Sequence, residues 1–194
     1  MRIAYIGMGA NLPSRAGPPA VTLRAAAARL TVLGRILRRS SLYSTAPVGL
    51  PDQPHFVNAV VALETSLSPL SLLEGLLAIE HEFGRDRSAG VPNGPRTLDL
   101  DILMLGDIHL SASDLEIPHP RLAERAFVLI PLHEIAPQAV DPRRHATVAE
   151  LLDCLHSQSH TGAQSVVPVR DPLWDADAGG PPSQPGAGGP DRHG

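Results

Sequence analysis

The chain contains no lysine, and all 16 of its basic residues are arginines. That absence removes whole mechanisms, because a Walker A loop needs its Lys and a Schiff-base enzyme needs an amine. Any phosphate must be held by arginine, backbone amides or a metal ion. The single cysteine, Cys154, excludes an internal disulfide and a cysteine-rich metal site. It points to a reducing compartment and reads as a core residue. No apolar run approaches membrane-spanning length, and Met1-Arg2-Ile3-Ala4-Tyr5-Ile6 enters a strand without a signal-peptide layout. The expected location is therefore cytoplasmic. Basic excess is missing too: the formal net charge of −4 argues against nucleic-acid and membrane-surface partners and for a small-molecule protein. The 194 residues suffice for one domain with a real core. We place that domain at residues 1–170. Residues 171–194, rich in Gly, Pro and Asp around a lone Trp174, hold too few apolar residues to offset their ordering entropy and read as a disordered tail.

The most informative stretch is Asn93-Gly94-Pro95-Arg96-Thr97-Leu98-Asp99-Leu100-Asp101-Ile102-Leu103-Met104-Leu105. Two carboxylates one residue apart interrupt an apolar run bounded by turn residues, which predicts a strand. Strand side chains alternate, so Leu98, Leu100, Ile102 and Met104 share one face while Thr97, Asp99, Asp101 and Leu103 share the other. The two aspartates then stand about 6.5 Å apart at Cα on one face. Like charges that close call for a cation between them. Mg²⁺, held by one or two carboxylates plus substrate phosphates, suits such a pair. Arg96, after a rigid Gly-Pro turn, adds a phosphate ligand beside it. A solvated edge strand is the plainer alternative.

Around this strand the chain reads as scaffold and loops. Residues 2–7 form a strand, and Gly7-Met8-Gly9-Ala10-Asn11-Leu12 turns out of it. The run lacks the third glycine of a dinucleotide fingerprint, so close backbone approach explains its glycines better. Pro18-Pro19 opens a helix to Leu33 with Ala20, Leu23, Ala27 and Leu30 on one stripe. Ile36 to Tyr43 is a strand, and Ser44 to Pro51 an irregular loop of the kind that carries binding. The strand His55 to Thr65 points Val57, Ala59, Val61 and Leu63 one way and Phe56, Asn58, Val60 and Ala62 the other. Phe56 with Asn58 offers a stacking ring and an amide to a flat heteroaromatic ligand, or is simply core beside solvent. Ser68-Pro69 starts a helix to Gly84 whose apolar face is Leu70, Leu73, Leu76, Leu77 and Phe83. Glu80, near its end, gains nothing from the dipole and alone reads as surface, although Arg85 or Arg87 could pair with it. His81-Glu82 lacks the second His of a zinc-protease motif. Arg85 to Pro92 has no periodicity and reads as a mobile lid carrying two arginines. Gly106 to Leu110 continues as a hairpin. His119, set between two prolines with Arg121 and Arg125 following, reads as a phosphate-facing cluster at a helix N-terminus, with a solvated helix start as the plainer alternative. Thr147 caps a helix from Val148 to His156, and Val166 to Val169 is an edge strand.

Gly94-Pro95-Arg96-Thr97-Leu98-Asp99-Leu100-Asp101-Ile102-Leu103 resembles the signature of the 6-hydroxymethyl-7,8-dihydropterin pyrophosphokinases of folate synthesis. The similarity runs from Ala4-Tyr5-Ile6-Gly7 through Ile117-Pro118-His119 to Pro131-Leu132-His133-Glu134-Ile135-Ala136-Pro137, most of residues 1–155. It implies a Mg²⁺-dependent transfer of the β,γ-diphosphate of ATP to the hydroxymethyl group of a dihydropterin, leaving AMP. By the same resemblance Asp99 and Asp101 hold two Mg²⁺. Thr45, Val48, Phe56, Asn58, Asp99 and Phe127 face the pterin, and Glu80, Arg87, Arg96, His119 and Arg125 face ATP. Arg85, Arg87, Arg96, Asp99 and Asp101 carry catalysis, with His119 helping to balance phosphate charge. Two departures stand out. Pro92-Asn93 replaces the family's basic and Trp lid positions, and Leu77 replaces a Gln. The partners implied are ATP and the pterin, without nucleic acid or membrane, for a monomer that could contact neighbouring folate enzymes.

The element order strand, helix, strand, strand, helix, strand predicts an α+β fold. We expect a ferredoxin-like antiparallel sheet sandwich with helices on one face, C-terminal additions and the tail. Since that fold serves many functions, two alternatives stay open. A nucleotidyl transferase with carboxylates on a similar sheet predicts a basic groove or a third carboxylate. A non-catalytic descendant predicts lost site residues, yet both aspartates and the arginine set are present.

Overall fold

The computed structural model describes residues 1–47, 49–50, 52–87, 94–158 and 165–176. Strands β1 (Arg2–Ala10), β2 (Arg35–Arg39), β3 (Leu42–Thr45), β4 (Phe56–Thr65), β5 (Asp99–Leu105) and β10 (Val166–Val169) make one antiparallel sheet. Its order is β10-β3-β4-β1-β5, with β2 also on β4. Helices α1 (Pro19–Leu30) and α2 (Pro69–Glu82) supply the crossovers, which gives the ferredoxin-like arrangement expected. Two small ribbons follow, β6 (Leu110–Ser111) with β7 (Glu116–Ile117) and β8 (Val140–Asp141) with β9 (Ala146–Thr147). Between and after them come α3 (Ala126–Ile135), α4 (Val148–Gln158) and α5 (Pro172–Ala176).

Helices cover both faces of the sheet, not one. The period-2 alternation of β1 and β4 sends Ala4, Ile6, Met8, Ala59, Val61 and Leu63 under α1 and α2. Val60 and Ala62 lie on the other side with Leu129 and Leu132 of α3 and Leu151 of α4. Pro69 at the start of α2 and a Ser68 hydroxyl accepting from the Ser71 amide fix that helix's N-terminus as predicted.

Several expectations change for identifiable reasons. The glycines at 7 and 9 lie inside β1, which runs to Ala10, and not in a turn. The strand expected over residues 36–43 breaks at Ser40 and Ser41, so β2 pairs with Val61–Glu64 and β3 with Phe56–Asn58 along the same edge of β4. On α2 the buried stripe is Leu72, Leu76, Ile79 and Glu80, while Leu70 is 56% exposed. A bulge opposite Tyr5 and Ile6 makes Leu103 an extra residue in β5, so Met104 joins Leu103 on the α3 side, away from Leu100 and Ile102. Cys154 is exposed, because α4 buries only Val148, Leu151 and Leu152. Nor does the fold stop at Arg170. Trp174 of α5 is fully buried, its indole N–H donating to the Ser40 carbonyl at 2.7 Å, so 171–176 belong to the domain. The tail expected over 177–194 lies outside the described residues.

The return from α1 to the sheet depends on close approach at Gly34. A Cβ there would stand 2.3 Å from the Glu64 carbonyl oxygen, a backbone atom that cannot swing aside. Gly34→Ala should lower stability by about 1–3 kcal/mol in urea denaturation. An unchanged midpoint and slope would show that this approach is not a constraint.

Candidate functional site

Antiparallel register lays out the site. On the sheet face away from α1 and α2, Asn58 of β4 lies opposite Gly9 of β1, and Gly9 lies opposite Asp99 of β5. An amide and a carboxylate are thus separated by two strand spacings, roughly 10 Å, with a glycine between them. One pair of residues along, Asp101 lies opposite Gly7. A Cβ on Gly9 would come 3.0 Å from Asn58 Oδ1, and one on Gly7 3.2 Å from Leu103 Cδ2. The two glycines keep the floor open between the polar ends.

At the amide end, Asn58 is only 6% exposed and its Nδ2 donates to Thr45 Oγ1 at 2.7 Å. That bond fixes the amide orientation and leaves Oδ1 facing Gly9 as an acceptor. Phe56 shares the face, and the Arg96 guanidinium lies 5.2 Å from its ring centroid. Val48 lies outside the described residues. Phe127 is on α3, partly buried, with the Arg125 guanidinium 5.5 Å from its ring.

At the carboxylate end, Asp99 is flanked by Arg96, whose Nη1 is 2.9 Å from Oδ2, and Arg85, whose Nη2 is 3.8 Å from Oδ1. Asp101 is half-buried. Desolvation, then the charge of Asp99, push its carboxyl up to about 6. Two half-buried carboxylates on one strand face are a donor set that fits a hard divalent cation. Among the described residues no group of three His, Cys, Asp or Glu side chains could hold a metal. The Nε atoms of Arg85 and Arg96 and the Thr97 hydroxyl are buried without a hydrogen-bond partner among the described residues. Buried donors without partners mark a place where a ligand can complete the network.

The strand carrying this pair is pinned on its outer edge. Glu80, 1% exposed, accepts the Leu100 amide at 2.8 Å between the two aspartates. Arg87 donates to both its oxygens at 2.8 Å. Glu80 is therefore not the surface residue its sequence position suggests, and the clue was its place on the Leu72–Leu76 stripe, eight residues along. Arg85 and Arg87 are docked on Asp99 and Glu80, not free in a lid. The rest of that lid, with Pro92-Asn93, lies outside the described residues. Further along β5, His119 N–H donates to the Leu103 carbonyl at 2.9 Å, and His119 Nδ1 accepts from the Arg121 amide at 3.1 Å. Burial, then Arg125 and Arg121, push its imidazole down to about 4. With Nδ1 accepting from Arg121, Nε2 is the ring nitrogen left to face a ligand. Beside Glu80 a hollow of about 510 Å³ is lined by Leu77, His81, Gly84, Arg85, Asp86 and Arg87.

One residue that no spacing singled out ties the two ends together. Asn11, nearly fully buried, accepts the Arg96 amide on Oδ1 at 2.8 Å and donates from Nδ2 to Gln53 Oε1 and the Pro54 carbonyl. It clamps the Gly94-Pro95-Arg96 turn to the loop before β4.

A family model described as 7,8-dihydro-6-hydroxymethylpterin-pyrophosphokinase matches residues 5–137. The 2-amino-4-hydroxy-6-hydroxymethyldihydropteridine pyrophosphokinase of Synechocystis is 45% identical over 152 residues, covering 77% of this chain and 74% of that protein. The protein of the same name from Bacillus subtilis is 45% identical over 150 residues, covering 76% and 84%. Among solved structures, the wild-type Plasmodium falciparum HPPK-DHPS with pteroate superimposes with a TM-score of 0.62 at 18% identity. That match covers 81% of this chain and 43% of that one, so it supports the fold alone. With the matched pattern laid over the sheet, the paired aspartates and the Asn58 row, the chain belongs to the 7,8-dihydro-6-hydroxymethylpterin-pyrophosphokinase family.

Proposed function

We propose that this chain transfers diphosphate from ATP to the hydroxymethyl group of 6-hydroxymethyl-7,8-dihydropterin, giving AMP and the pterin diphosphate for folate synthesis. The observation that carries this assignment is the row Asn58–Gly9–Asp99 across three strands. A flat ring stacked on Phe56 with one polar edge on Asn58 Oδ1 lies over the glycine and presents its hydroxymethyl end to Asp99. Thr45 and Phe127 complete the ring's surroundings, and Val48 belongs to the same assignment.

Phosphoryl transfer asks a protein for positioning and charge stabilisation more than for covalent chemistry. Asp99 and Asp101 are the residues that would hold Mg²⁺, two ions in this account. When bound, Mg²⁺ neutralises the phosphates and lowers the cost of ionising the paired carboxylates. Asp99, within reach of the hydroxymethyl end, accepts the proton of the attacking hydroxyl. Arg85 and Arg96 turn their Nε–H groups, unpartnered among the described residues, toward the transferred phosphates. Arg87 leaves Glu80 or shares it with the nucleotide, Arg125 adds charge beside α3, and His119 donates an Nε2 hydrogen bond to a phosphate oxygen. Glu80 acts on ATP through Arg87 and on the aspartates through the Leu100 amide. In this structure the Glu80 oxygens are engaged by Arg87 and the Leu100 amide.

AMP formation from ATP, Mg²⁺ and 6-hydroxymethyl-7,8-dihydropterin, beside EDTA and no-pterin controls, tests the assignment. AMP should appear only with pterin and metal together, and Asp99→Ala or Asp101→Ala should abolish it with the circular dichroism unchanged. Pyrophosphate release without pterin, or near-normal turnover in either variant, would overturn it.

The raised Asp101 carboxyl also predicts a pH-dependent cost. Unfolded, the group ionises near 3.8. Folded, it holds its proton to about 6, so it removes stability progressively as pH rises through that window. In EDTA, Asp101→Asn should be more stable than the unsubstituted protein at pH 7, by on the order of 1–3 kcal/mol, and equal to it below about pH 4. A variant less stable at pH 7 would contradict the burial assigned to this carboxylate.

A further inference from the structure

The segment 165–176 lies beyond the residues the family pattern matches, yet it is built into the wall of the proposed pterin pocket. Strand β10 pairs with β3 so that Val166 lies opposite Thr45, the residue whose hydroxyl orients the Asn58 amide. Asp171 Oδ1 caps α5 by accepting from the Leu173 and Trp174 amides, and the same oxygen lies 3.6 Å from Arg24 Nη1 of α1.

The indole of Trp174 fastens this strap at a particular place. Its N–H donates to the carbonyl of Ser40, and the Arg39 guanidinium lies 4.7 Å from its ring centroid. Ser40 is the fully buried step between β2 and β3. Its amide donates to the Val60 carbonyl and its hydroxyl accepts from the Val60 amide, both at 2.9 Å. The chain steps along β4 here, from its Val61 end to its Phe56 end. A shift at this step would move Thr45 relative to Asn58, since a register slip turns side chains to the other face.

We propose that β10 and α5 form a strap that positions the pterin wall. Trp174 is its positioning residue, acting through Ser40 and β3 on Thr45 and Asn58. The proposal rests on the assignment of Thr45 and Asn58 to the pterin. The strap touches the pterin end of the row and not the aspartate end, so its loosening lowers pterin affinity selectively.

Calorimetry on the full chain tests this, titrating 6-hydroxymethyl-7,8-dihydropterin and, separately, the α,β-methylene analogue of ATP with Mg²⁺. Trp174→Ala should weaken pterin binding about tenfold or more, with nucleotide-analogue affinity held within about twofold. Asp171→Ala, which removes the cap without opening a cavity, should produce the same selective loss in smaller measure, and it decides the matter if the Trp174 variant does not fold. Adding Trp174→Ala to Thr45→Val should cost little beyond Thr45→Val alone, because both act through one side chain. Unchanged pterin affinity in the strap variants, equal losses for both ligands, or fully additive losses would overturn the strap. Asn58→Ala separates the two claims. If it leaves pterin affinity intact the pocket assignment fails, and if it weakens binding while the strap variants do not, only the strap fails.

Discussion

Everything at the site depends on the antiparallel register of three strands. Because β4, β1 and β5 pair so that Asn58, Gly9 and Asp99 fall in one row, an amide and a carboxylate face the same space with a glycine between them. Register is enforced by the core beneath. A one-residue slip of β1 would drive Ile6 and Met8 out of the α1 and α2 layer and put side chains where the glycines are. The stability of the domain and the geometry of its chemistry therefore rest on the same alternation.

The carboxylate end is an edge strand, and edge strands are free to move or to pair elsewhere. Here the edge is held at two points, by the Glu80 carboxylate on the Leu100 amide and by the His119 amide on the Leu103 carbonyl. The bulge at Leu103 lies between Asp101 and Met104 and lets the strand change faces directly after the aspartate pair. The two half-buried carboxylates stand side by side because arginines flank Asp99 and Asp101 resists ionisation. The consequence is a site that is electrostatically incomplete on its own: Asp101 resists ionisation, and Arg85 and Arg96 keep buried donors without partners among the described residues.

Much of this was legible in local pattern. Period-2 alternation placed Phe56 with Asn58 and Asp99 with Asp101 on shared faces, and the Pro and Ser signals fixed the start of α2. What escaped has long-range causes. Glu80 looks like a surface carboxylate until a strand 20 residues later brings an amide and Arg87 brings a cation. Trp174 stands in a polar, Gly- and Pro-rich stretch, and its burial follows from a carbonyl 134 residues earlier. Asn11 follows a glycine-rich strand with no periodic signal, and its partners lie more than 40 residues away. Met104 departs from its period-2 position because a bulge resets the alternation, and bulges leave no mark in an apolar run.

An incomplete site should gain its cation together with its nucleotide. The most direct test is Mn²⁺ binding followed by electron paramagnetic resonance, with and without the α,β-methylene analogue of ATP. The account predicts weak binding to the protein alone, binding about tenfold or more tighter with the nucleotide analogue, and loss of that gain in Asp101→Asn. Tight Mn²⁺ binding by the protein alone, unchanged by nucleotide, would contradict it, since the protein would then hold the metal without the phosphate ligands the paired aspartates require.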